Sequence, residues 1–330
     1  PSINRLDRMF LIVGVSLAMS NATSSPTQYR FSFGPWNIST GADPFGPPVR
    51  KEVEFARKIR AYKELGFDAV QFHDDDMVPA DWDWPATLKG VAALKKMLDN
   101  EGLFVEIIAP RLWEDPRTID GGFTSNQPSD RHYAVDRAKR CVDLAREVGC
   151  TNYVLWLARE GTYIREAKDS KTAIGRILDA WNAILEHDPD IRVLGEAKPN
   201  EPMDQSYLPT AGHMVGLCYK TIAPDRSGVL IESAHSILAG LDPADDMGYA
   251  LWHNKLWSVH LNDQNGLKYD QGLRLSRSPS RLQHDLDSRS QRLREEWRMH
   301  RARCQGHEDH RARGIDVPPL PFSFDVPSTS

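Results

Sequence analysis

The sequence predicts an α/β protein, a (β/α)8 TIM barrel whose last unit and C-terminal tail are atypical. Three observations carry this. Apolar residues at helical spacing repeatedly run into a glycine that is followed at once by a β-rich run. Strand candidates recur at intervals of roughly thirty to fifty residues, a spacing that favours a closed barrel over a doubly wound sheet. No Gly-rich phosphate loop follows the first strand, which argues against a dinucleotide-binding fold.

Taken in order, RFSFG (Arg30 to Gly34) is the first strand. Phe55, Ile59 and Tyr62 then mark a helix face that ends at Gly66 and leads into AVQFH. Leu88, Val91 and Leu98 precede Gly102 and LFVEIIA, and Ala138, Cys141, Ala145 and Val148 precede Gly149 and NYVLW. Glycine suits the left-handed position that ends a helix, and β-branched and aromatic residues suit a buried strand. Further strands are predicted at Val193 to Lys198, Gly228 to Ser233 and Leu256 to Asn262, giving seven.

The expected organisation is an N-terminal extension over residues 1–29, disordered, a barrel over 30–273 and a divergent segment over 274–330. Met9 to Met19 is a short apolar run after Arg5 and Arg8, too short to span a bilayer, and Met19 reads as a natural start. From Arg274 to Arg313 there are 11 arginines and no lysine, and the strand signal disappears. Two readings stand there: a weakly amphipathic helix on Leu282, Leu286, Leu293 and Trp297, or a frame change in GC-rich coding DNA. Loss of the last unit is expected to leave an exposed sheet edge.

A net charge of -5 and the lack of a Lys-rich stripe argue against nucleic acid as a partner. Nothing points to a membrane, and a small polar substrate is expected. Four cysteines in 330 residues, without CxxC spacing, fit a reducing cytoplasm and no disulfide scaffold.

Polar residues gather at the C-terminal ends of the predicted strands, where this fold builds its active sites. Glu196 and Lys198 are two apart on a strand and share a face. They read either as a buried ion pair or as a metal ligand beside a substrate contact. Glu232 and His235 offer one oxygen and one nitrogen ligand three residues apart. Ser258, His260 and Asn262 alternate with Trp257, Val259 and Leu261, so the polar set is expected to point inward. His260 reads as a ligand or as a satisfied core histidine. His73 is followed by Asp74, Asp75 and Asp76, and a carboxylate beside an imidazole suits proton transfer at a hydroxyl. An acidic turn is the plainer alternative. Trp36, Trp113 and Trp156 are core aromatics or flat walls for a sugar.

These residues sit in strings that resemble the xylose isomerases: FSFGPWN with Trp36, DPFG with Phe45, FHDDD with His73 and Asp76, and GGFTSN from Gly121. VLW with Trp156, REG, EAKPNEP with Glu196 and Lys198, PTAGH from Pro209, ExxH at Glu232 and His235, and the GxKYDQ run with Asp270 complete the set. The resemblance covers about residues 30 to 273, roughly three-quarters of the chain. It implies an aldose-ketose isomerase with two divalent cations, Mg²⁺, Mn²⁺ or Co²⁺. Glu196 and Glu232 would bind one ion, and Glu232, His235 and Asp270 the other. His73, steadied by Asp76, would open the sugar ring, and Lys198 would contact the first oxygen. Trp36, Trp113 and Trp156 would line the pocket, and a homotetramer or homodimer is implied, with Phe45 entering a neighbour's site.

The sequence departs from that pattern at several points. His260 stands where the resemblance implies an aspartate, and the similar L-rhamnose isomerases use a histidine in a comparable role. Gly272 replaces a second aspartate beyond Asp270, and the final metal aspartate has no match. Arg111 and Trp113 replace an asparagine and a phenylalanine. An L-rhamnose-type isomerase or epimerase, and a catalytically defective sugar- or metal-binding homologue, are the alternatives.

Overall fold

A computed structural model describes residues 13–16, 30–38, 40–42, 45, 47–262, 264, 266 and 267, with the side chains of 13–16 excepted. Residues 1–17 and 30–274 cluster as one compact unit; the second unit, 18–29 and 275–330, lies outside the described residues. Asp270, Gly272 and the divergent segment therefore also lie outside them.

The chain order is β1 (Val13–Ser16), β2 (Arg30–Phe33), α1 (Phe55–Glu64), β3 (Ala69–His73), α2 (Asp74–Met77), α3 (Trp84–Glu101) and β4 (Phe104–Ala109). It continues with α4 (Pro128–Val148), β5 (Asn152–Trp156), β6 (Gly161–Thr162), α5 (Ser170–His187), β7 (Arg192–Glu196) and β8 (Gln205–Ser206). The remainder is α6 (Ala211–Cys218), β9 (Ser227–Glu232), α7 (Ser233–Leu238), α8 (Pro243–Trp252) and β10 (Leu256–Leu261). All seven predicted strands are present, in the parallel order β2, β3, β4, β5, β7, β9, β10. The expected exposed edge is absent: β1 lies antiparallel to both β10 and β2 and closes the barrel. Part of the N-terminal extension is thus a strand of the sheet. The short pair β6 and β8 forms a separate antiparallel ribbon.

Local chemistry accounts for the helix ends. Asp83 accepts from the Ala86 amide at the start of α3 and Asp169 from the Thr172 amide at the start of α5, each filling an orphan donor. At the other end, Gly102 and Gly149 close α3 and α4 at φ 65° and 76°, where a β-carbon is disfavoured. The helices pack on the sheet through fully buried Tyr62, Tyr153 and Trp181.

Inside the barrel, Ile107, Ala109, Val154, Leu194 and Leu230 form an apolar floor. Trp257 packs against it, although strict alternation predicted that this residue faces outward. The reason is a register shift between Leu256 and Ser258, which turns the ring inward over Gly228. Arg192 stacks on the same ring at 4.1 Å. Above this floor the inward positions at the ends of β3, β7, β9 and β10 are polar, and β5 ends on Trp156.

Candidate metal and sugar site

The period of two along each strand builds the site. Glu196 ends β7, Glu232 ends β9 and His260 lies near the end of β10, each on the face that carries the floor residues lower down. The chain turns into α7 directly after Glu232, which brings His235 in its first turn back over the mouth. All four side chains are buried. Glu196, Glu232 and His235 each offer a ligand atom within 4.8 Å of the others.

His235 bridges the carboxylates, with Nδ1 3.4 Å from Glu196 Oε1 and Nε2 3.2 Å from Glu232 Oε1. His260 Nδ1 faces the other oxygens, 3.9 Å from Glu196 Oε2 and 3.7 Å from Glu232 Oε2. Its Nε2 is 2.9 Å from the carbonyl oxygen of Gln71, whose amide donates to Ser32 Oγ at 2.9 Å. Asn262 donates to Glu232 Oε1 at 2.7 Å and is itself anchored by Ala234 N–H, which donates to its Oδ1. Two buried carboxylates with bare imidazole nitrogen turned toward them form a donor set suited to a divalent cation.

Across the pocket, His73 Nδ1 is 3.0 Å from Asp76 Oδ2, which also accepts from the His73 backbone N–H at 2.9 Å. A carboxylate only accepts, so Nδ1 carries a proton, and in the neutral ring Nε2 is the open lone pair. Burial pushes the Asp76 carboxyl up, but the charge and hydrogen bonds of His73, with the Arg111 guanidinium, outweigh it and hold it at about 2. A chain of rings links this dyad to the carboxylates. Trp36 lies 4.5 Å from His73, His73 4.8 Å from Trp113, Trp113 4.5 Å from Trp156, and Trp156 6.5 Å from His235, measured between centroids. Gly34 admits the Trp36 ring, since a β-carbon there would lie 2.2 Å from it.

Lys198 is buried, donates to Glu201 Oε2 at 3.3 Å and lies 4.9 Å from the Trp156 ring. The strand ends at Glu196, two residues earlier than expected, so Lys198 reaches the mouth from the following loop. Phe45 stacks on Trp156 of its own chain, with centroids 6.2 Å apart. The structure therefore gathers every expected site residue except Asp270, which lies outside the described residues.

A family model described as xylose isomerase-like TIM barrel matches residues 59–288. The chain belongs to this family. Among solved structures, it is similar to 3-keto-D-glucoside 4-epimerase from E. coli, at 13% identity over 64% of this chain and 74% of that one, with a TM-score of 0.50. It is also similar to D-psicose 3-epimerase from Clostridium cellulolyticum H10, at 13% identity over 68% and 70% of the chains, with a TM-score of 0.50. Both likenesses show the family's fold.

Gln71 and Glu160 were not singled out from the sequence, and Arg111 was named there without its partners. Gln71 shares a strand face with His73, a signal that the period of two carries. Arg111 stands out only as a departure from the resemblance. Glu160, in the REG string, accepts from the backbone of Phe123 and Thr124 and from Thr124 Oγ1, tying down the GGFTSN loop from 36 residues away. No local pattern announces that partner. Among the described residues, no helix is long and apolar enough to cross a membrane.

Proposed function

We propose that the protein is a metal-dependent aldose-ketose isomerase acting on a small sugar. The observation that carries this reading is the pairing of a buried carboxylate-imidazole cluster with a His73–Asp76 dyad across one aromatic-walled mouth. Glu196, Glu232, His235 and His260 would hold a divalent cation such as Mg²⁺, Mn²⁺ or Co²⁺. A bound ion supplies positive charge that polarises the oxygens of the open-chain sugar. Asp270 would contribute to holding the second ion that the resemblance implies.

The residues of the chain divide the remaining work. His73, with its proton fixed on Nδ1, takes the anomeric hydroxyl proton at Nε2 and returns a proton to the ring oxygen, opening the ring. Lys198 donates a hydrogen bond to the oxygen on the first carbon. Trp36, Trp113 and Trp156 lie against the apolar face of the sugar and exclude water, and Phe45 covers Trp156 from above. With water excluded, the hydride on C2 passes to C1 while the proton of the C2 hydroxyl is transferred to the C1 oxygen, so that C2 becomes the carbonyl and C1 the alcohol with no net gain or loss of atoms.

A second reading, an epimerase, is favoured by the sugar epimerases among similar structures. Incubation with D-xylose, D-glucose and L-rhamnose, with each cation and with a chelator, separates the two. The isomerase reading expects a ketose that the chelator suppresses; a C2 epimer without ketose would favour the second.

A further inference from the structure

Arg111 follows β4 and reaches under the acidic turn at the end of β3. One amino group donates to Asp76 Oδ1 at 2.7 Å, Nε donates to Asp75 Oδ1 at 2.6 Å, and the backbone N–H donates to Asp74 Oδ1 at 2.9 Å. The other amino group meets Glu114 at 3.3 Å. The oxygen of Asp76 that Arg111 holds is the one that His73 does not use. Arg137, from α4, pairs with Asp74 at 2.7 Å and with Asp75 at 3.0 Å, so the turn is clamped from two elements. Arg111 also lies 5.4 Å from the Trp113 ring, the wall next to His73.

We propose that Arg111 is a positioning residue, whose guanidinium fork fixes the Asp76 carboxylate so that Asp76 fixes the proton of His73 on Nδ1. This rests on the reading of His73 as the ring-opening base. A planar fork reaches two carboxylates at set angles, which a lysine ammonium cannot do. The groups facing Asp76 are His73 and Asp75 beside it in the turn, Arg111 from the end of β4, and Tyr62 from α1, whose phenol burial and the Asp76 charge push up. Arg111 supplies the permanent cation among them. Without it, Asp76 keeps only the two His73 donors, both on Oδ2, and its Oδ1 loses the anchor that sets the plane of the carboxylate.

The test is the ¹⁵N spectrum of the full chain labelled at histidine, with ¹³C titration of the aspartate carboxyls. The unaltered protein is expected to show His73 as the Nδ1–H tautomer. In Arg111→Gln the His73 signals should move toward a mixture of both tautomers, and the Asp76 carboxyl should titrate higher by roughly one pH unit. If that variant does not fold, Arg111→Lys keeps the charge and loses the fork, and a smaller shift in the same direction is expected. A folded variant whose His73 tautomer is unchanged overturns the proposal, as does an Nε2–H tautomer in the unaltered protein. Failure of the isomerase reading registers separately, as absence of ketose from a chain that still shows the Nδ1–H pattern.

Discussion

His260 Nε2 lies 2.9 Å from the side-chain oxygen of Gln71, so the proton sits on Nε2 and Nδ1 presents a bare lone pair to Glu196 and Glu232. Three acceptors converging in a buried site are costly unless a cation lies among them. Gln71 thus sets the tautomer that the proposed role of His260 at an ion requires. Replacing Gln71 with Leu removes that control, and Mn²⁺ affinity is expected to fall about 10- to 100-fold. Calorimetric titration checks this, and an unchanged affinity would show that His260 is not held for an ion.

Ion binding should also register as stability. Glu196 and Glu232 repel one another in a dry interior, and a cation that binds only the folded chain stabilises it by about 2.7 kcal/mol at a hundredfold excess over Kd. The expected rise in Tm is roughly 5 °C or more, reversed by chelator. Glu232→Gln should abolish most of that rise, because it neutralises the carboxylate whose two oxygens face the two imidazoles. A melting curve of the variant that still responds fully to Mn²⁺ would place the ion elsewhere.

The Asp76 carboxyl gives a pH signature. Its folded value of about 2 lies below the ordinary carboxylate value, so the stabilisation is present above pH 4 and is lost as pH falls toward 2. The depression corresponds to about 2 kcal/mol. Asp76→Asn should therefore be less stable than the unaltered chain at pH 6 by about that amount, with the gap closing below pH 4. Urea unfolding at a series of pH values measures it; a gap independent of pH would contradict the assignment.

Packing behind the ligands is tight. A β-carbon on Gly195, next to Glu196, would lie 2.2 Å from Met214 Sδ and 2.7 Å from the Trp181 ring. Met214 bends easily, but Trp181 is fully buried and does not. Gly195→Ala is expected to cost about 1–3 kcal/mol and to lower Tm. Thermal unfolding without metal isolates this from ligand effects, and an unchanged Tm would mean that the α5 and α6 helices yield.

The sequence carried β3, β4 and β5 because each is a short buried run preceded by a helix-ending glycine, Gly66, Gly102 or Gly149, and it carried the remaining parallel strands by their β-rich composition alone. It carried Glu196, Glu232, His235 and the inward set on β10 because strand alternation is a local signal. It missed what depends on long-range pairing. β1 was unreadable as a strand of the barrel, since an apolar run near Arg5 and Arg8 has the pattern of a leader, and its partners β2 and β10 lie far along the chain. Trp257 was placed outward because a bulge breaks alternation without marking the sequence. Arg111 and Glu160 act on partners about 36 residues away, a distance over which spacing says nothing.

The central claim is that this site moves a hydride between the first two carbons of an aldose. The most direct measurement is turnover of D-xylose in D₂O with Mn²⁺, with the product read by NMR. The account predicts D-xylulose that carries no solvent deuterium at its first carbon. A C2 or C3 epimer bearing solvent deuterium would contradict it, because that product requires a proton to leave the sugar and exchange.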